Sequence, residues 1–264
     1  MVCLGGAILV VMILLAASAP VFAGDPFTLD PSRRLQAPSV ALWFGTDNLG
    51  RDVFAMTVYG ARVSLLVGVL VSAGAVAGGL LVGLIAGVNR RFDGIAMRVM
   101  DGLMAIPSIL LAIALVSLTH GGVPVVIVAI MIPEVPRAAR LVRSVVLGTR
   151  EQPYVEAAYA GGARASKVLL RHILPTTLPP LIVQATYVSA SAILTEAGLS
   201  FLGAGVPPDV PSWGNMISGS RLYLPIAPWT IFAPGICLAI VVLAVNVLGD
   251  GLRDMLDPRM ARRV

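Results

Sequence analysis

Lysine is nearly missing from this 264-residue chain, in which Lys167 stands alone against eighteen arginines. No G-x-x-x-x-G-K-[ST] run can be built around it, because it follows Ser166 in a helical context, so the chain has no loop to cradle a nucleotide phosphate. Histidine occurs twice, and there is no HExxH, no GxSxG and no pair of intramembrane carboxylates. The simplest routes to a membrane protease, a lipid hydrolase or a metalloenzyme are therefore closed, and the chain reads as no enzyme by itself, with no cofactor and no metal of its own. The two cysteines, Cys3 and Cys237, sit inside apolar runs without a CxxC or Cys/His cluster. That excludes a disulfide framework and leaves packed or lipid-facing thiols. Charge is scarce too: 12% of residues are charged against 57% hydrophobic, with a mean hydropathy of +0.90. Such a composition cannot make an ordinary soluble surface and belongs in a bilayer. The net charge of +5 is no sign of nucleic-acid binding, which needs a basic domain with grooves or stacking aromatics.

What is present is a series of long apolar runs. A span needs ~20 residues at ~1.5 Å rise to cross ~30 Å of hydrocarbon. On that basis six spans are expected, at 2–23, 61–88, 97–119, 123–145, 178–202 and 229–248. Between them lie an outer segment at 25–60, a polar loop at 146–177, an outer loop at 203–228 and a tail at 249–264. The first run reads as an uncleaved helix or as a signal peptide. Ala17-Ser18-Ala19 looks cleavable, but Pro20 follows it and no basic stretch precedes it. Thr46 or Asp47 is expected to cap a helix entering the second span from about Gly50. Asp47, Asn48 and Asp52 miss the spacing of a calcium loop. Gly74, Gly78, Gly79, Gly83 and Gly87 predict either close helix packing or a bend along a pathway. A turn is expected at 89–94, a kink at Pro107, a tight turn at His120-Gly121-Gly122, and a disturbance at Pro133 and Pro136.

Ionisable residues near the spans are few. Arg137, Arg140 and Arg143 share a helical face and are expected to snorkel to headgroups, with Glu134 one turn earlier pairing with Arg137. Glu196, at a cost of roughly 3 kcal/mol in a span, should face the bundle interior or an aqueous cavity with a partner. Trp213 and Tyr223 suit an interface, and Ser212 a helix cap. With both termini and the 146–177 loop in the cytoplasm, fourteen basic residues lie inside and five, Arg33, Arg34, Arg51, Arg62 and Arg221, lie outside. That arrangement satisfies the positive-inside rule.

The longest polar interruption, EAAYAGGARASKVLLRHILP at 156–175, predicts two short helices separated at Gly161-Gly162 and ended before Pro175. Glu156-Ala157-Ala158, three residues, Gly162, and Leu174-Pro175 with the proline thirteen residues after that glycine, form a pattern. It resembles the EAA loop of inner-membrane permease subunits of ATP-binding-cassette importers. FGTDNLGRDVF with YGARVSL, ARLVR at 139–143, EAGLSFLG with PSWG, and LGDGLRDMLDPR extend the resemblance over nearly the whole chain. They narrow it to the second permease subunit of the dipeptide, oligopeptide and nickel branch.

The resemblance implies an all-α six-span bundle of the type I importer kind in the bacterial inner membrane, with a cytoplasmic coupling-helix loop. It implies a homologous second permease, two ATPase subunits (or one fused ATPase) that bind ATP and Mg, and an extracytoplasmic substrate-binding protein. Glu156, Ala157, Ala158, Gly161, Gly162, Lys167, Leu174 and Pro175 would then couple to an ATPase. Dipeptides or short oligopeptides are the leading cargo, with nickel chelates or haem-like molecules as alternatives. A secondary carrier or channel using Glu196 is the alternative of another class. The sequence departs from its relatives in a short stretch before the first span, in Glu134 at a position usually apolar or aromatic, and in Ala197-Gly198 replacing Ala-Ser.

Overall fold

A computed structural model of the protein describes residues 1–119 and 121–256. The turn at His120 and the tail arginines Arg259, Arg262 and Arg263 lie outside the described residues. Ten α-helices run in chain order among those described: α1 (Val2–Phe22), α2 (Val53–Val88), α3 (Arg90–Ala105), α4 (Ser108–Ser117), α5 (Val123–Arg150), α6 (Pro153–Ala160), α7 (Ala165–Val168), α8 (Leu174–Phe201), α9 (Trp213–Ser220) and α10 (Trp229–Leu256). The architecture is all-α. Four helical runs have the length and apolarity to cross a membrane: α1, α2, the run from α7 through α8, and α10. The pair α3 and α4 qualifies only if taken together, and it is bent by 88°. α5 is 28 residues long, but Glu134 and four arginines interrupt its apolar character.

α2 is the centre of the bundle, and its glycines settle the choice between packing and bending. A Cβ on Gly79 would lie 2.3 Å from Ala138 Cβ, one on Gly83 2.6 Å from the Ala139 carbonyl oxygen, and one on Gly87 2.4 Å from Val146 Cγ1. The stripe is thus the seam along which α5 approaches α2, as small residues permit in membrane helices. Contacts climb in the same direction on both helices, from Gly74 against Met131 to Gly87 against Val146. α2 and α5 are therefore parallel, and the segment between them has to return the chain to the side from which α2 started. Val67, Val71, Val126, Ile130, Val188 and Leu199 form the adjoining core. α10 joins through Gly249, whose Cβ would meet Thr186 Oγ1 at 2.3 Å, and holds α1 at Gly5.

Several local expectations are corrected. Asp52, not Thr46 or Asp47, caps α2, accepting the Phe54 N–H at 2.8 Å. Half-burial pushes its carboxyl above the ordinary range. Asp47 instead closes the preceding loop, accepting the Leu49 and Arg51 N–H groups at 2.8 and 2.9 Å and the Arg51 side chain at 2.7 Å. No turn separates α2 from α3, because Asn89 Oδ1 accepts the N–H groups of Arg91 and Phe92 and starts a new helix at once. At Pro107 there is a break rather than a kink. Pro133 and Pro136 leave α5 uninterrupted.

The arginines of α5 do not simply snorkel. Arg143 clamps Asp93 through two hydrogen bonds, one of them 2.6 Å, and Arg140 binds Asp101. Carboxylates on α3 thus take the place of headgroups. Arg137 does pair with Glu134, at 2.6 Å, but Glu134 is only 4% exposed and its Oε2 has no hydrogen-bond partner among the described residues.

Candidate functional site

The polar loop forms a compact handle. α6 ends in a Schellman motif: the Gly162 N–H donates to the Tyr159 carbonyl at 2.9 Å, the Ala163 N–H donates to the Ala158 carbonyl at 3.1 Å, and Gly162 takes φ +80°. Glycine is used at this turn because a left-handed residue has to follow the last helical turn, where a Cβ is penalised. Beyond its two chain neighbours, no heavy atom of the described residues lies within 4 Å of a Cβ built there, so the requirement is conformational rather than steric.

The second helix of the handle does not stop at Pro175. Over Leu169–Ile173 the turn widens to π geometry and passes directly into α8. Widening relieves the clash that a proline ring makes with the carbonyl four residues earlier, and Pro175 itself falls in the first turn of α8. The helical run from Ala165 to Phe201 spans 37 residues.

Two valines tie the handle to the bundle. Val155 of α6 and Val168 of α7 are both fully buried, in one cluster with Val142 and Val146 of α5, Ile173, and Leu80 and Leu84 of α2. Around them the sequence-predicted residues fall into two groups. Glu156, Ala157, Gly161, Gly162, Lys167 and Pro175 are exposed, whereas Ala158 and Leu174 are half-buried, Ala158 packing against the valine cluster. Tyr154, Tyr159 and Leu170 had not been singled out, yet they are 47%, 43% and 62% exposed on the same small element. Large apolar side chains in an otherwise polar loop were the signal for them.

Glu196 lies far from the handle in sequence and burial. It is fully buried in α8, accepting hydrogen bonds from Ser200 at 2.9 Å and from Ser64 of α2 at 3.3 Å. Ser200 in turn accepts the Val206 N–H at 3.2 Å. A second Schellman motif at Gly203, φ +78°, turns the chain back over this group. Trp213, expected at an interface, is instead fully buried and donates to the Thr57 carbonyl at 2.9 Å. Ser212 caps α9 as expected, and the Asn215 amide donates to the carbonyls of Val206, Pro207 and Val210. EAGLSFLG and PSWG thus interlock: a Cβ on Gly214 would strike Ala197 Cα at 2.7 Å. The arrangement is a buried polar knot joining α2, α8 and the outer loop.

A helical membrane bundle with an exposed, conformationally fixed polar handle between two of its long helices is the build of a transporter's membrane subunit. Residues 79–262 match the family described as the inner membrane component of binding-protein-dependent transport systems, and the chain belongs to that family. It is 66% identical over 263 residues to a probable peptide ABC transporter permease protein, y4tQ, of Sinorhizobium fredii, covering 100% of this chain and 90% of that one. It is 46% identical to the dipeptide transport system permease protein DppC of Alkalihalophilus pseudofirmus, covering 94% and 82%, and 40% identical to the di/tripeptide permease DppC of Pseudomonas aeruginosa, covering 97% and 88%. Among solved structures, an inward-facing MetNI methionine ABC transporter matches with a TM-score of 0.63 at 21% identity, covering 76% of this chain and 96% of that one. That likeness shows the fold. The chain is a multi-pass ABC transporter permease subunit.

Proposed function

We propose that the protein forms half of the translocation pathway of an ATP-driven importer of dipeptides and short oligopeptides, and couples to cytoplasmic ATPases through the handle. The cargo reading is supported by near full-length identity to peptide permeases. Six crossings fit the bundle if α1, α2, α4 with the connecting residues on either side of it, α5, α8 and α10 each cross once. With the handle in the cytoplasm, both termini fall on that side as well, a reading the charge asymmetry supports. A homologous second permease, two ATP-binding subunits (or a single fused one) carrying ATP and Mg, and an extracytoplasmic binding protein complete the assembly. The subunit has no catalytic role of its own.

The observation that carries the coupling reading is the continuity of α7, the π turn and α8. An ATPase that grips Glu156, Ala157 and the exposed turn at Gly161 and Gly162 moves a lever running into the bundle. Val155 and Val168 keep the other face of the handle against α5 and α2. ATP binding favours one ATPase arrangement over another, and only that difference in affinity can bias the bundle between inward- and outward-facing states.

The test is uptake of a labelled dipeptide into proteoliposomes holding the whole complex. Uptake is expected to require ATP and to survive Glu196→Gln, because the amide keeps hydrogen bonds to Ser64 and Ser200 in the same buried site. ATP-independent uptake that disappears in Glu196→Gln would favour the secondary carrier instead.

A further inference from the structure

We propose that α3 lies in the cytoplasmic surface of the bilayer and binds the headgroups of anionic phospholipids. Three observations converge on this helix. First, its direction: the chain bends by 88° between α3 and α4. The ion pairs to α5 agree, since eight residues of α3, from Asp93 to Asp101, or about 12 Å, match three residues of α5, from Arg143 back to Arg140, or about 4.5 Å. α3 therefore crosses α5 obliquely. It sits at the level where α2 ends at Val88 and where α5 changes from apolar to arginine-bearing.

Second, its faces: Asp93, Ala96, Met97 and Met100 turn inward and are buried or half-buried. Phe92, Ile95 and Val99, spaced as one helical face, are 37%, 69% and 54% exposed. Beside that stripe, seven residues apart and so on a common face, stand Arg91 and Arg98, with Arg90 at the helix start, all three exposed. Third, their charge: none of these three arginines takes part in an ion pair among the described residues, although five other arginines do. An apolar stripe flanked by unpaired cations on a helix at this depth matches the acyl boundary below it and the phosphates beside it. The clamp of Asp93 by Arg143 then ties the headgroup contact to the cytoplasmic half of α5. The inference rests on the membrane placement of the bundle and not on its cargo or its ATPase.

The test uses the full chain assembled with its partners in nanodiscs of phosphatidylcholine, with and without phosphatidylglycerol, after Cys3 and Cys237 are replaced by alanine. Nitroxide labels at Ile95→Cys and Val99→Cys are expected to be reached by oxygen and shielded from an aqueous nickel chelate, and a label at Arg98→Cys to show the reverse bias. Native mass spectrometry is expected to find several-fold less phosphatidylglycerol retained by the Arg90→Gln, Arg91→Gln, Arg98→Gln protein. Labels at 95 and 99 open to the nickel reagent would place α3 in water. Shielding from both reagents would mean that a protein partner covers this face. Unchanged lipid retention by the triple variant would remove the headgroup contact. Each of these three results overturns the proposal, and the label scan stands even if the triple variant assembles poorly.

Discussion

Gly83→Leu is expected to leave little folded permease in the membrane. A Cβ at this position has the Ala139 carbonyl oxygen and Val142 Cβ both 2.6 Å away, and the rest of a leucine has nowhere to go, because Val142 is fully buried. Neither neighbour is the free end of a flexible side chain, so α2 and α5 have to separate. Overpacking of this kind typically costs about 1–3 kcal/mol and more where backbone must shift, a large share of a stability of about 5–15 kcal/mol. The valine cluster anchoring the handle lies on the same seam and would loosen with it. Gly235→Leu is the control, since nothing lies within 4 Å of a Cβ there. Detergent-solubilised size-exclusion profiles after a heat challenge should show Gly83→Leu aggregated and Gly235→Leu like the parent. A monodisperse, equally heat-resistant Gly83→Leu protein would mean that the α2–α5 seam is wrong.

Gly162→Val should do the opposite, sparing the bundle and abolishing transport. The position is exposed, with no heavy atom near a Cβ, so insertion and core packing are untouched. Its φ of +80° is another matter. A left-handed residue with a Cβ costs about 1–2 kcal/mol, and a β-branched one more, so valine would undo the Schellman motif and turn α6 away from α7. With the handle reshaped, uptake is expected to drop about tenfold or more, following that penalty, at unchanged expression. Gly162→Asn, which tolerates the left-handed region, should keep most of the uptake. Normal transport by a well-expressed Gly162→Val protein would show that the conformation of the turn does not matter to coupling.

The contrast between these two glycines shows what could be read from the sequence. The handle was legible because its determinants are local: a glycine pair after a run of good helix formers fixes where a helix ends, whatever surrounds it. The all-α membrane class was legible from hydropathy alone. Arg140 and Arg143 were misread because their partners, Asp101 and Asp93, are 39 and 50 residues away, and periodicity says nothing about which carboxylate an arginine meets. Trp213 was assigned to an interface on its residue type, whereas the tertiary approach of α9 to α2 provides a buried carbonyl for its N–H. The helix through Pro175 was missed because the rule that proline ends helices assumes α geometry, and a π turn evades it. The polar knot was half legible: the cost of a carboxylate in a span required a partner for Glu196, but nothing in the sequence indicated that Ser64, 132 residues away, would be one.

The most direct test of the coupling account is co-purification. The tagged chain is isolated from its native membrane beside a variant in which Glu156 to Gly162 is replaced by a flexible segment of equal length, and the accompanying proteins are identified. The expected result is a second permease and ATP-binding subunits with the parent, and loss of the ATP-binding subunits alone with the variant. ATP-binding subunits retained by the variant at the parent's level, or a parent that purifies with none and transports peptide by itself, would contradict the account.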